Sequence, residues 1–122
     1  MPTKVSANAL LAKTSRFKRQ PIYWILSHPV GDLTAVNCYR EEFRGYLAEI
    51  DANGQLIASG PILTEDGQFH AGDYAMLLKA SDLEQAKTIA AADPWLLRGL
   101  RTNRVVPFLI GDGDLYRLMS DA

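Results

Sequence analysis

His70-Ala-Gly-Asp-Tyr-Ala-Met-Leu-Leu-Lys-Ala80, continued by Ser81-Asp-Leu-Glu-Gln-Ala-Lys-Thr-Ile-Ala-Ala-Ala92 and Asp93-Pro-Trp95, reads as a strand, a capped helix and a stop. Tyr74 to Ala80 is mostly apolar and bounded by Gly72 and Ser81, as a buried strand should be. Ser81 and Glu84 have the spacing of a capping box, in which a hydroxyl and a carboxylate satisfy opposite unpaired donors at a helix start. Leu83, Ala86, Ile89 and Ala90 then share one helical face, and Pro94 biases Asp93 away from helical geometry, ending the helix there. This reading leaves Asp93 as a carboxylate at a helix C-terminus.

Upstream, Ile22-Tyr-Trp-Ile-Leu-Ser27 is a strand rich in β-branched and aromatic residues, closed by His28 and a loop from Pro29 to Asp32. Val36, Tyr39, Phe43, Tyr46, Leu47 and Ile50 recur at intervals of three and four, predicting one helix over residues 35–53 that stops at Gly54. Gln55 to Leu63 reads as a second strand, with Gly60-Pro61 indicating a bulge or an edge. Downstream, Trp95 to Leu100 reads as a short turn. Arg104 to Ile110 is the last strand, where Pro107 again suits an edge. The order strand, helix, strand, strand, helix, strand predicts a ferredoxin-like α+β domain, with both helices on one face of an antiparallel sheet. The other face lacks a covering layer in this chain, so a homodimer is expected.

The 122 residues suffice for one domain, read as residues 21–113, with a basic extension at 1–20 and a tail at 114–122. No apolar run approaches the ~20 residues of a membrane span, and no secretory signal is recognisable. Thirteen basic and fourteen acidic residues give a net charge of −1, which excludes a strong overall field for nucleic acid or anionic lipid. The extension nevertheless carries Lys4, Lys13, Arg16, Lys18 and Arg19 without an acid. That composition suits a transit segment or an arm lying on a partner subunit, and the arm is the preferred reading. A single cysteine, Cys38, rules out an internal disulfide, suits a reducing, cytoplasmic setting, and is read as a small buried residue. Gly111-Asp-Gly-Asp lacks the remaining ligands of a calcium loop, and there is no phosphate-cradling loop or zinc pattern.

Several of these motifs together resemble the YCII-related (YciI-like) family of dimeric α+β barrel proteins. They are the helix opening at Arg40, the Ala58-Ser59-Gly60-Pro61 step, the Ala71-Gly72 strand entry, Ser81 to Ala86, Ala92-Asp93-Pro94-Trp95 and Val105-Val106-Pro107-Phe108. The resemblance implies two ferredoxin-like subunits packed sheet against sheet, with a pocket in each. Most members have no assigned reaction; one is a dehydrochlorinase of a chlorinated hydroxyquinol, with a histidine and an aspartate proposed as its catalytic pair. The aspartate of the family's Asp-Pro motif falls on Asp93 and the helix-opening arginine on Arg40. The histidine three residues beyond that arginine is replaced here by Phe43. A phenyl ring neither shuttles protons nor binds metal, so the pairing would require His70 or His28 to enter from another element.

Asp93 also has a physical case. The negative end of a helix dipole and the flanking Trp95 both destabilise an ionised carboxylate, which suits a general base; the alternative is a turn-forming residue bonded to local backbone. His70, in a glycine-flanked loop at the entry of a strand, is the second candidate catalytic group, and otherwise a solvated histidine. Arg40, Phe43, Ser59 and Trp95 are the candidate ligand-contacting residues, Arg40 as a planar fork for a carboxylate or phenolate. Two readings follow. One is a lyase or isomerase for a small aromatic compound, needing no cofactor or metal, with Asp93 as base; Asp93→Asn should then abolish turnover and spare the fold. The other is a non-catalytic ligand-binding or accessory homodimer in which Phe43 marks lost chemistry. Whether a histidine lies within hydrogen-bond reach of Asp93 discriminates them.

Overall fold

The computed structural model describes residues 4–13, 16–31 and 33–119, the side chains of residues 35 and 36 excepted. Asp32, the Val36 side chain and residues 1–3, 14–15 and 120–122 of the two tails lie outside the described residues. In chain order the elements are α1 (Ala7–Lys13), β1 (Ile22–Pro29), α2 (Leu33–Asn37), α3 (Arg40–Ala52), β2 (Leu56–Pro61), β3 (Tyr74–Leu78), α4 (Leu83–Ala91), α5 (Pro94–Leu97), β4 (Arg101–Phe108) and α6 (Asp114–Leu118). They fall into two compact units, Ile22–Pro107 and a smaller one made of Met1–Pro21 with Phe108–Ala122.

The strands of the larger unit form one antiparallel sheet in the order β2-β3-β1-β4, the ferredoxin-like arrangement. Its two edges are the strands that carry Pro61 and Pro107, because proline cannot donate to a ladder on both sides. The irregularity in β2 lies between Leu56 and Ala58, not at Gly60-Pro61. Across β1 and β3, Tyr23 faces Leu78, Ile25 faces Met76 and Ser27 faces Tyr74. Ile25, Met76 and Leu78 meet Phe43 and Ile50 of α3, Ala90 of α4 and Trp95 of α5 in a single core. Each fully buried branched side chain there contributes about 1.5–3 kcal/mol.

In the larger unit the helices differ from the sequence expectation in three places. The predicted helix over 35–53 breaks at Cys38-Tyr39, where Tyr39 takes φ −114°, ψ 20° and leaves α2 and α3 separate. Asn, Cys and Tyr are weak helix formers, so nothing local resists the break. It leaves Cys38 exposed, with its thiol directed to the Thr34 carbonyl, instead of buried. The cap of α4 is Asp82, one residue later than expected: its carboxylate accepts from Gln85 N–H at 2.8 Å, and the Gln85 amide oxygen accepts from Ser81 N–H at 2.7 Å. Finally, Pro94 opens α5 as well as closing α4, since proline at a first helical position loses no hydrogen bond.

Tyr46 ties α3 to α4 by donating its hydroxyl to the Ile89 carbonyl at 2.5 Å. Burial, reinforced by the charge of Asp93, raises its pKa above the usual tyrosine value. A raised folded-state pKa means stability that is complete below the unfolded tyrosine value, near 10, and is lost as pH rises beyond it. Tyr46→Phe should therefore cost about 1 kcal/mol at neutral pH and flatten the alkaline fall of the urea midpoint. An unchanged alkaline limb would refute this role.

In the smaller unit, the Ser6 hydroxyl accepts from Ala9 N–H at 3.0 Å. Lys18 N–H donates to the Ile110 carbonyl at 3.0 Å, and Arg16 pairs with Asp112 through Nε at 3.2 Å and Nη2 at 2.5 Å. The Lys18 ammonium lies 4.3 Å from the Tyr116 ring centre. The basic N-terminal stretch thus engages the C-terminal residues of its own chain.

Candidate functional site

A cleft of about 620 Å³ opens in the larger unit beside α3, with Arg40, Phe43, Arg44, Leu47, His70, Tyr74, Trp95 and Arg101 among its lining residues. Its floor is aromatic. Phe43 stacks on Trp95 with ring centres 3.8 Å apart and planes at 14°, and Tyr74 meets Phe43 edge-on at 5.3 Å. Two contacts brace α3 and α5 as walls: Arg98 bonds both carboxylate oxygens of Glu42, at 2.8 and 2.7 Å, and its guanidinium lies 4.1 Å over the Tyr39 ring.

Arg101, which precedes the strand expected from Arg104 to Ile110, is the first residue of β4. The strand runs Arg101–Phe108, not from Arg104, and alternation turns Arg101, Asn103 and Val105 towards the helices. Arg101 is only 4% exposed. Its Nη1 donates to the Gly72 carbonyl at 2.6 Å and reaches the Ser27 hydroxyl at 3.4 Å, while its guanidinium lies 4.6 Å over the Trp95 ring. Its enclosed Nε has no acceptor among the described residues. Burial lowers the pKa of this group, and the charges of Asp93 and then Asp73 oppose the fall; an arginine remains protonated throughout. Gly72 permits the arrangement: its φ is +103°, and a Cβ there would come within 2.7 Å of Leu33 and Pro29 side-chain carbons. The one available sequence signal was the alternation of Arg101, Asn103 and Val105, hidden because two of the three inward residues are polar.

Asp93 is 2% exposed and is not among the residues lining the cleft. It caps α5, one carboxylate oxygen accepting from Trp95 N–H at 2.9 Å and the other from the Asn103 amide at 3.1 Å. The Asn103 amide also donates to the Ala90 carbonyl at 3.2 Å. Asp93 therefore joins the end of α4, the start of α5 and the sheet. Neither histidine is hydrogen-bonded to it. His28 Nδ1 bonds the Asp73 carboxylate at 2.8 Å, and His70 Nε2 bonds the Asp73 carbonyl at 2.8 Å. A carbonyl only accepts, so Nε2 of His70 carries a proton and Nδ1 of the neutral ring keeps its lone pair. The His70 loop is closed by Thr64 and Asp66: the Thr64 hydroxyl donates to Asp66 at 2.6 Å and accepts from Phe69 N–H at 3.1 Å. The structure thus gathers Arg40, Phe43, His70 and Trp95 around one cleft; Asp93 is not among its lining residues, and neither is Ser59, exposed on edge strand β2. Among the described residues no group of three or more His, Cys, Asp or Glu is placed to hold a metal, and no helix is long and apolar enough to cross a membrane.

Fold and cleft together define a ferredoxin-like α+β domain with a ligand-sized site between helices and sheet. The chain belongs to the YCII-related family, whose domain matches residues 22–109. In fold it is similar to 5-chloro-2-hydroxyhydroquinone dehydrochlorinase from Burkholderia phenoliruptrix AC1100, solved in complex with 2,5-dihydroxybenzoquinone. The TM-score is 0.57 at 19% identity, covering 70% of this chain and 90% of that one. No curated protein matches the chain in sequence.

Proposed function

We propose that this protein is a cytoplasmic, cofactor-independent lyase or isomerase that moves a proton on a small, planar, oxygenated compound. The observation that carries this reading is that one aromatic-floored cleft is lined by both the buried Arg101 guanidinium and the His70 imidazole, whose Nε2 is engaged by the Asp73 carbonyl and whose Nδ1 is not. In the proposed step, His70 Nδ1 takes a proton from the carbon next to a carbonyl. The C–H electron pair becomes a C=C bond, and charge accumulates on the oxygen facing Arg101. Returning the proton to another carbon gives isomerisation; expelling a leaving group from the neighbouring carbon gives elimination. Asp93 is then a positioning residue that holds Trp95 and β4, in place of the base expected from sequence. Asp93→Asn would act through structure, because the Trp95 N–H and the Asn103 amide both donate to the carboxylate and the single Asn oxygen can replace only one of its two acceptors.

The reading is tested with 2,5-dihydroxybenzoquinone, the ligand of the structurally similar dehydrochlorinase. Proton NMR in deuterated buffer should show the protein accelerating exchange of the ring C–H, and His70→Gln should bind the compound but slow exchange by about a hundredfold or more. Binding without acceleration by the unaltered protein would favour the accessory, non-catalytic reading, for which the stacked Phe43 at the family's histidine position is the specific support. The sheet face bearing Trp24, Leu26 and Leu77, opposite the helices, is proposed to pack on a second copy in a homodimer, a state that sedimentation equilibrium reads directly.

A further inference from the structure

Among the described residues, the cleft is lined by the basic side chains of Arg40, Arg44, Arg101 and His70, and by no carboxylate. In a chain with more acidic than basic residues, that is a local concentration of positive charge. Among the described residues no acid forms an ion pair with these arginines, although Asp93 and Asp73 lie near enough to Arg101 to act on its charge. Glu42, on the same helix, bonds Arg98, while the Arg40 guanidinium donates to the neutral Asn37 side chain at 2.7 Å. Arg44 forms no ion pair among the described residues. The guanidiniums also lie at two depths. Arg101 is 4% exposed, with an enclosed Nε that lacks an acceptor, whereas Arg40 and Arg44 are exposed and one helical turn apart on α3. The Phe43, Tyr74 and Trp95 rings line the same space.

Resting on the reading of this cleft as the ligand site, we infer that its ligand is a planar dianion with two separated acidic groups. One acidic group is seated on the buried Arg101 fork, and the other lies at the rim between Arg40 and Arg44. A guanidinium recognises a carboxylate or phenolate through paired N–H donors, and the buried and the exposed guanidiniums each offer such donors. The flat apolar middle of such a molecule matches the aromatic floor.

The test is calorimetric titration with ring compounds of nearly equal shape: isophthalate and terephthalate, their mono-amides 3- and 4-carbamoylbenzoate, and neutral isophthalamide. The better-fitting diacid should bind about tenfold more tightly than its mono-amide. That advantage should shrink with added salt and vanish when Arg40 and Arg44 are both replaced by Gln. A mono-amide that binds as tightly as its diacid would overturn the dianion inference while leaving the cleft as the site. Absence of binding by every compound, or binding unaffected by Arg101→Met, would overturn both.

Discussion

Arg101→Met is expected to weaken binding of an acidic aromatic ligand by about 2–3 kcal/mol, roughly 30- to 150-fold in Kd, the scale of a lost charge-assisted hydrogen-bond pair. Methionine keeps most of the aliphatic volume beneath Trp95, so the fold should survive. The Gly72 carbonyl and the Ser27 hydroxyl lose a donor, a cost of about 1 kcal/mol. Arg101→Lys should fall between the two, because an ammonium restores the charge without the planar fork. Calorimetry alongside urea denaturation separates the losses, and equal affinity of the original protein and the Met variant would remove Arg101 from the site.

Trp95→Ala is expected to be the most destabilising single change in the larger unit, at about 3–5 kcal/mol. The indole is 6% exposed, stacks on Phe43, meets Tyr74 edge-on at 6.3 Å and supports Arg101. Losing it opens a cavity where α3, α5 and the sheet converge. With a typical domain stability of about 5–15 kcal/mol, melting should fall on the order of 10–20 °C. Trp95→Phe, which keeps a ring against Phe43, should lose less than half as much. A drop of under about 1 kcal/mol for the alanine variant would show that the stack contributes little.

Alternation and turn chemistry made the strand and helix order legible in the sequence. Pro61 and Pro107 marked the sheet edges for a reason that is purely local, the missing N–H. What escaped was set by partners distant in sequence. Arg101 and Asn103 turn inward because the Gly72 carbonyl, Trp95 and Asp93 await them, and polar residues at inward positions disguise the start of a strand. The break before Arg40 and the one-residue shift of the α4 cap are choices among conformations of similar local energy, decided by tertiary packing. Asp93 was conspicuous in sequence as a carboxylate before proline. Its burial and its bond to Asn103 depend on the docking of β4, which its own neighbourhood does not specify.

The most direct measurement is the Nε–Hε resonance of Arg101 in a proton–nitrogen NMR spectrum, assigned by comparison with Arg101→Lys and followed during titration with isophthalate. Seating an acidic group on the buried fork should move that resonance progressively to saturation, at the same ligand concentration that saturates the calorimetric signal. A resonance that stays in place while signals elsewhere titrate would put the ligand at another site and contradict the account.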